Sequence, residues 1–195
     1  MKKLLVIFSF LLFSGLAVAQ QTPYALINQV GEQLFADIKT VNSQGKATES
    51  QMKGIVRSRL MPHIDVKFVS FKLLGKHIKG LKRSEAVDFI SAVDEYLVAT
   101  YANALLQYKG QEVLFEELPL SSDSDFATVK VLIKEPSGPD IDMHFKFRQS
   151  KNGDWKVYDM VAEGISLLSA KQKEITMRIS EVGLAKVTQE LKSKA

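Results

Sequence analysis

The chain contains no cysteine among its 195 residues. No disulfide can therefore stabilise the fold, and no thiolate is available as a nucleophile or a metal ligand. The absence of cysteine also argues against a lipoprotein that carries its lipid on that residue. Whatever fold forms must be stable through side-chain packing alone.

Motifs for catalysis and metal binding are scarce as well. The three histidines, His63, His77 and His144, show neither H-x3–5-H nor H-E-x-x-H spacing, so no metal and no cofactor are expected. There is no G-x-S-x-G motif and no glycine-rich phosphate loop. Ser166 lies between a strand-like and a helix-like segment, which favours a helix N-cap over a catalytic serine.

The charge is weakly basic and is not concentrated in one basic stretch. The formal net charge is +4. Proteins that bind nucleic acid usually carry a clustered basic surface, so nucleic acid is not an expected partner.

The first 19 residues are typical of a secretory signal peptide. Lys2 and Lys3 precede an apolar stretch from Leu4 to Leu12, and Ala17-Val18-Ala19 provides a cleavage site. The apolar stretch is shorter than the ~20 residues of a membrane-spanning helix. We therefore expect export to the periplasm and one domain over residues 20–195.

Helical periodicity covers the two ends of the mature chain. Local signals mark the helix starts: a Thr48–Gln51 capping box, Asp65 as an N-cap, and Ser84 as the cap of the longest helix. The predicted helices run over 23–41, from 49 to Pro62, from 66 to Gly75, from 84 to about 108, and from 167 onward.

The middle of the chain has the period of β-strands. The predicted strands are 111–118, 127–134, 141–147 and 155–163, with turn signals at 136–139 and at Asn152-Gly153. Short connections require neighbouring strands to be antiparallel. The sequence therefore predicts an α+β fold, with an antiparallel sheet of about four strands and helices packed on one face.

Asp159 and Glu163 are the candidates for acid–base catalysis. Strict alternation places Asp159 with Trp155, Val157 and Val161 on an apolar strand face. A carboxylate there is either paired and structural or a functional group with a perturbed pKa. The alternative function is therefore a small periplasmic isomerase-like enzyme with Asp159 as the base, although no partner base or oxyanion donor accompanies it.

Apolar residues are more numerous on the helices and strands than one packed interface requires. Periodicity alone leaves two interpretations open, a solid core or a core that lines a cavity.

The sequence resembles the MlaC family, the toluene-tolerance auxiliary proteins. The segment W-x-x-Y-D…E-G-x-S, from Trp155 to Ser166, carries the most specific part of the resemblance. Further matching residues extend it over nearly the whole mature chain: Arg59-Leu60, Pro62, Asp65, Leu74-Gly75, Tyr101-Ala102, Ala104-Leu105, Tyr108, Gly110-Gln111 and Gly183.

The resemblance implies a soluble, monomeric, non-enzymatic carrier of phospholipid, with a cone like that of nuclear transport factors. The implied cargo is phospholipid, with its acyl chains in a deep apolar pocket. The implied partners are an inner-membrane ABC transporter with a membrane-anchored ring protein, and an outer-membrane lipoprotein–porin complex. We assign fourteen residues to the implied pocket: Leu73, Leu74, Val93, Leu97, Tyr101, Leu105, Val131, Met143, Phe145, Phe147, Val157, Val161, Ile165 and Leu168.

Overall fold

A computed structural model describes residues 21–119 and 124–195. The predicted signal peptide lies outside the described residues. The elements are α1 (Pro23–Ser43), α2 (Glu49–Arg59), α3 (Val66–Leu74), α4 (Arg83–Leu105), β1 (Val113–Glu117), β2 (Phe126–Ile133), β3 (Ile141–Gln149), β4 (Trp155–Ala162), β5 (Ile165–Ser166), α5 (Leu167–Val182) and α6 (Leu184–Ser193). The predicted α+β class is confirmed.

The helices begin where side chains accept hydrogen bonds from their first turns. The Gln51 amide N–H donates to Thr48 Oγ1 at 3.2 Å, and Thr48 N–H donates to Gln51 Oε1 at 2.9 Å, which forms the expected capping box. Asp65 accepts from the amide of Phe68 at 3.0 Å and starts α3. These local signals are sufficient to fix both helix starts.

The predicted cap of α4 at Ser84 is wrong. The helix begins at Arg83, with Lys82 as its N-cap residue. The Lys82 N–H donates to the Glu85 carboxylate at 2.9 Å, so the acid three residues further along fixes the helix start. The helix also ends at Leu105, before the predicted end at Tyr108.

The sheet is an antiparallel meander in the order β1-β2-β3-β4-β5. The sequence predicted about four strands, and the fifth is the two-residue β5, which pairs with the end of β4. The start of β4 is covered on the same edge by the segment before α3, where the Asp65 N–H donates to the Val157 carbonyl at 2.9 Å. Both halves of this edge are therefore covered by other parts of the chain.

A β-bulge interrupts β4. Phe147 pairs with Val157 and Lys146 pairs with Asp159, so Tyr158 is an extra residue with no partner on β3. The bulge shifts the alternation of side chains by one position. The expected common face for Trp155, Val157, Asp159 and Val161 is therefore wrong beyond Val157, because Asp159 and Val161 point to the other side.

The buried side chains form three clusters. One joins α3, α4, α5 and α6 around Phe89, and a second joins α1, α2 and the far half of α4 around Met52. The third lies between α1 and the sheet and includes Phe147, which is 1% exposed. Burial of each large apolar side chain stabilises the fold by about 1.5–3 kcal/mol, without disulfides.

Candidate functional site: an apolar cavity

A cavity of about 410 Å³ lies between the sheet and the helices. Its volume falls within the ~300–1,000 Å³ typical of ligand pockets. Its lining is almost entirely apolar and comes from α1, the segment between α2 and α3, the far half of α4 with the residues that follow it, and the strands β1 to β4. The open choice between a solid core and a hollow one is thereby decided in favour of a hollow.

The strands supply one wall of the cavity through their register. Phe115 pairs with Val131, and Val131 pairs with Met143, so three neighbouring strands place these side chains in one row on the same face. Along β3, the wall extends from Ile141 to Phe147. Six residue steps in a strand span about 20 Å, so the cavity follows most of the strand.

The bulge adds Met160 to this wall. Phe145 pairs with Met160, and both side chains line the cavity. Without the extra residue at Tyr158, strict alternation from Val157 would point Met160 away from the cavity. The two halves of β4 therefore present alternate positions to the cavity. Val157 lines it before the bulge and Met160 lines it after the bulge.

The helix α1 forms the opposite wall at close range. A Cβ atom at Gly31 would lie 2.6 Å from Cζ of Phe115, a distance that real side chains do not adopt. Glycine thus allows the Phe115 ring to contact the helix backbone. Nearby, the rings of Phe35 and Tyr108 lie 4.7 Å apart and join α1 to the segment that follows α4.

The cavity has a buried end and an exposed end. The buried end lies near the start of α1, where Leu26 of α1 is 8% exposed and Phe147 of β3 is 1% exposed. Ala104, on the last turn of α4, and Gln107, in the turn that follows it, also line the cavity and are exposed to solvent. We place the mouth between these two residues and the sheet.

Polar groups on the lining are few and mostly satisfied. The Tyr108 hydroxyl donates to the Gln111 carbonyl at 2.9 Å, and the Gln111 amide donates to Glu135 Oε1 at 3.2 Å. Burial raises the pKa of Tyr101 to about 12, with a smaller contribution from the charge of Asp159. Burial is the larger cause, and the positive charge of Lys156 the smaller cause, of a lowered pKa at His63. The lowered pKa favours the neutral imidazole.

The fourteen residues that the sequence assigned to a pocket divide into two groups. Seven line the cavity: Tyr101, Leu105, Val131, Met143, Phe145, Phe147 and Val157. The other seven do not line it. Five belong to or pack against the cluster around Phe89: Leu73, Leu74, Val93, Leu97 and Leu168. Val161 points away from the cavity beyond the bulge, and Ile165 is 61% exposed on β5. Contact with a ligand stays a prediction for the seven residues that line the cavity. We do not propose it for the seven that lie elsewhere.

Sequence reasoning missed the contribution of α1. Five apolar residues of this helix line the cavity: Leu26, Ile27, Val30, Leu34 and Phe35. The one-sided spacing of Ile27, Val30 and Leu34 was a usable signal, but the sequence does not reveal which helix covers the sheet. Met160 was missed because the alternation of apolar residues along the sequence does not reveal a β-bulge.

Asp159 is held in a structural network outside the cavity lining. Its carboxylate accepts hydrogen bonds from the Met160 amide at 2.8 Å, the Ser166 hydroxyl at 2.8 Å and the Leu168 amide at 3.0 Å. Ser166 is the N-cap of α5, as predicted, and accepts from the Ser169 amide at 3.0 Å. Asp159 therefore joins β4 to the first turn of α5, where a negative charge is favourable.

No group of three or more histidine and acidic side chains within residues 21–119 and 124–195 is arranged to hold a metal ion. None of the helices described combines the length and the apolar character that crossing a membrane requires.

An α+β domain with an apolar cavity that opens beside its longest helix defines a class of proteins that bind small apolar ligands. Residues 28–193 match the family model described as "MlaC protein". The chain therefore belongs to the MlaC family, and the expected membership is confirmed.

Individual relatives agree with this assignment. The "Intermembrane phospholipid transport system binding protein MlaC" of Haemophilus influenzae is 33% identical over 174 residues, which cover 86% of this chain and 81% of that protein. The "Toluene tolerance protein ttg2D" of Pseudomonas putida is 24% identical over 156 residues, which cover 80% of this chain and 72% of that protein.

A solved structure has the same fold. The phospholipid-binding protein from Ralstonia solanacearum, solved in complex with a phospholipid, matches with a TM-score of 0.78 at 20% sequence identity. The match covers 90% of this chain and 97% of that chain.

Proposed function

We propose that this protein is a periplasmic carrier that binds the acyl chains of a phospholipid in its cavity and transfers the lipid between membranes. The observation that carries the proposal is the apolar hollow of about 410 Å³ in a member of the MlaC family. The names of relatives that bind or transport phospholipid support the same cargo.

The energetics of lipid transfer require such a hollow. Each CH₂ group exposed to water costs about 0.8 kcal/mol, so two bare acyl chains cost tens of kcal/mol. The cavity removes this cost by surrounding the chains with side chains such as Phe145, Met143 and Leu105. The polar headgroup would remain at the exposed mouth, where water can solvate it.

Two full acyl chains call for a volume in the upper part of the ~300–1,000 Å³ range of ligand pockets. The cavity, at about 410 Å³, is smaller than that. Two of its lining side chains are Met143 and Met160, whose unbranched thioethers adapt readily to different shapes. We propose that loading widens the gap between α4 and the sheet, and that a membrane complex favouring the unloaded form promotes release.

The partners in this proposal are an inner-membrane ABC transporter complex and an outer-membrane lipoprotein–porin complex. The name of the Haemophilus influenzae relative, which describes an intermembrane system, supports such a pair of partners. We propose that the carrier acts as a monomer. We also propose that it acts without catalysis, because the Asp159 carboxylate is bonded to β4 and α5 rather than facing the cavity.

The proposal is tested by organic extraction of purified protein followed by mass spectrometry. Wild-type protein should release about one phospholipid per chain. Met143→Arg should abolish this lipid, because it introduces an unpaired charge into the apolar lining. His144→Arg is the matched control, since His144 is the next residue on β3 and interacts with Asp142 on the other face.

Retention of lipid by His144→Arg and its loss from folded Met143→Arg would support the cavity as the binding site. Phospholipid absent from wild-type protein, even after incubation with vesicles, would refute the proposed function.

A further inference from the structure

Among the described residues, the cavity mouth carries one acidic side chain, Glu135, which lies just after the end of β2. Gln107 and Gln111, both in the segment between α4 and β1, line the cavity beside it. The buried end around Phe147 is apolar. If the cavity holds acyl chains, as the proposed function requires, the headgroup lies near Glu135.

The position of the Glu135 carboxylate is fixed by a short chain of hydrogen bonds. The Lys109 N–H donates to Gln111 Oε1 at 2.8 Å, which turns the NH₂ group of Gln111 toward Glu135. That NH₂ group donates to Glu135 Oε1 at 3.2 Å. One carboxylate oxygen is thus held by a neutral donor, and the other is not engaged by this hydrogen bond.

The nearest cation in sequence is already engaged. Lys134 donates to Asp140 Oδ2 at 2.6 Å, and the backbone N–H of Glu135 donates to Oδ1 of the same aspartate at 3.3 Å. In the two described ranges of the chain, no lysine or arginine forms an ion pair with Glu135. The described lining of the cavity also contains no lysine or arginine, and burial favours neutral His63.

We propose that Glu135 selects phospholipids whose headgroup carries a primary ammonium, such as an ethanolamine lipid, over lipids with an anionic headgroup. A primary ammonium can donate a charge-assisted hydrogen bond to the free carboxylate oxygen. A quaternary ammonium is attracted but cannot donate, and a headgroup with only a phosphate charge is repelled. The expected order of preference is ethanolamine, then choline, then glycerol.

The test measures competition within one membrane. Delipidated full-length mature protein is incubated with vesicles containing equal amounts of ethanolamine, choline and glycerol phospholipids with identical acyl chains. The protein is then separated from the vesicles, and its bound lipids are quantified by mass spectrometry. Identical chains ensure that any preference arises from the headgroup.

Wild-type protein should be enriched in the ethanolamine lipid over the glycerol lipid by about fivefold, the upper range for an exposed charge pair. Glu135→Gln should reduce this ratio to about one, while the substituted amide can still accept from Gln111. Glu32→Gln is the matched control, because it removes the same charge from an exposed position on α1 that does not line the cavity. Its ratio should equal that of wild type.

Three results would overturn the inference alone. The first is bound phospholipid in wild-type protein with no headgroup preference, and the second is an unchanged ratio in Glu135→Gln. The third is an equal loss of the preference in Glu32→Gln, since net charge rather than Glu135 would then set the ratio. Wild-type protein that takes up none of the three lipids would refute the proposed function as well.

Discussion

Filling the cavity from its wall should stabilise the protein and displace its cargo at the same time. Val131 is 3% exposed, and it lies in the middle of the row formed by Phe115, Val131 and Met143. Val131→Phe directs four additional carbon atoms into the hollow. At about 0.8 kcal/mol per buried carbon, their transfer from water contributes up to ~3 kcal/mol.

Part of this gain is offset by lost side-chain freedom and imperfect packing. We expect Val131→Phe to raise the free energy of unfolding of the delipidated protein by about 1 kcal/mol, as cavity-filling substitutions commonly do. For a domain of this size, the melting temperature should rise by about 2–4 °C. The ring occupies space needed by acyl chains, so phospholipid uptake from vesicles should fall.

Val129→Phe provides the matched control. Val129 is 2% exposed and lies on the same strand and the same face, but it does not line the cavity. The same enlargement there meets a filled core and should cost about 1–3 kcal/mol. Chemical denaturation of both variants measures the change in the free energy of unfolding, which should be positive for Val131→Phe and negative for Val129→Phe. Equal destabilisation by the two substitutions would refute the reasoning, because Val131 would then face packed side chains.

Three further variants test other parts of the structure. Asp159→Ala should lower the free energy of unfolding by about 3 kcal/mol, because it leaves the donors at Ser166 and Leu168 without their charged acceptor. Folded Asp159→Asn should still take up phospholipid, and loss of uptake would contradict the purely structural role of this carboxylate. The lowered pKa of His63 means that the unfolded chain binds more protons, so wild-type stability should fall as pH drops below about 6.5. Denaturation curves at pH 5 and pH 7 should show this decrease, and it should be smaller in His63→Gln. Gly31→Ala should displace the Phe115 ring toward the cavity and reduce lipid uptake; Phe115→Leu in the same chain should restore uptake, and no restoration would show that the ring is not responsible.

Local sequence signals predicted those features of the fold that depend on neighbouring residues. The capping box at Thr48 and the N-caps at Asp65 and Ser166 are interactions over three residues, and each was predicted correctly. At α4, two local signals competed, and Glu85 capping Lys82 prevailed over Ser84. Turn residues and alternation predicted the order of the antiparallel strands for the same reason.

The candidate site depends on contacts between distant segments, and the sequence predicted it only in part. The bulge at Tyr158 is a property of the pairing between two strands, so alternation within β4 alone assigned Val161 to the wrong face. Leu73 and Val93 have the same helical spacing as Tyr101, yet they pack against α5 and α6. Apolar periodicity marks a side chain as inward-facing, but it does not distinguish a packed core from the wall of a cavity.

The central claim is that acyl chains occupy the space between α1, α4 and the sheet. The most direct measurement loads the protein with a phospholipid that carries a photoreactive group at the end of one acyl chain. After illumination, the modified residues are identified by peptide mass spectrometry. Adducts are expected at the buried end of the cavity, on Leu26, Ile27 and Phe147. Adducts concentrated on α5 and α6, with none on α1 or β3, would contradict the central claim.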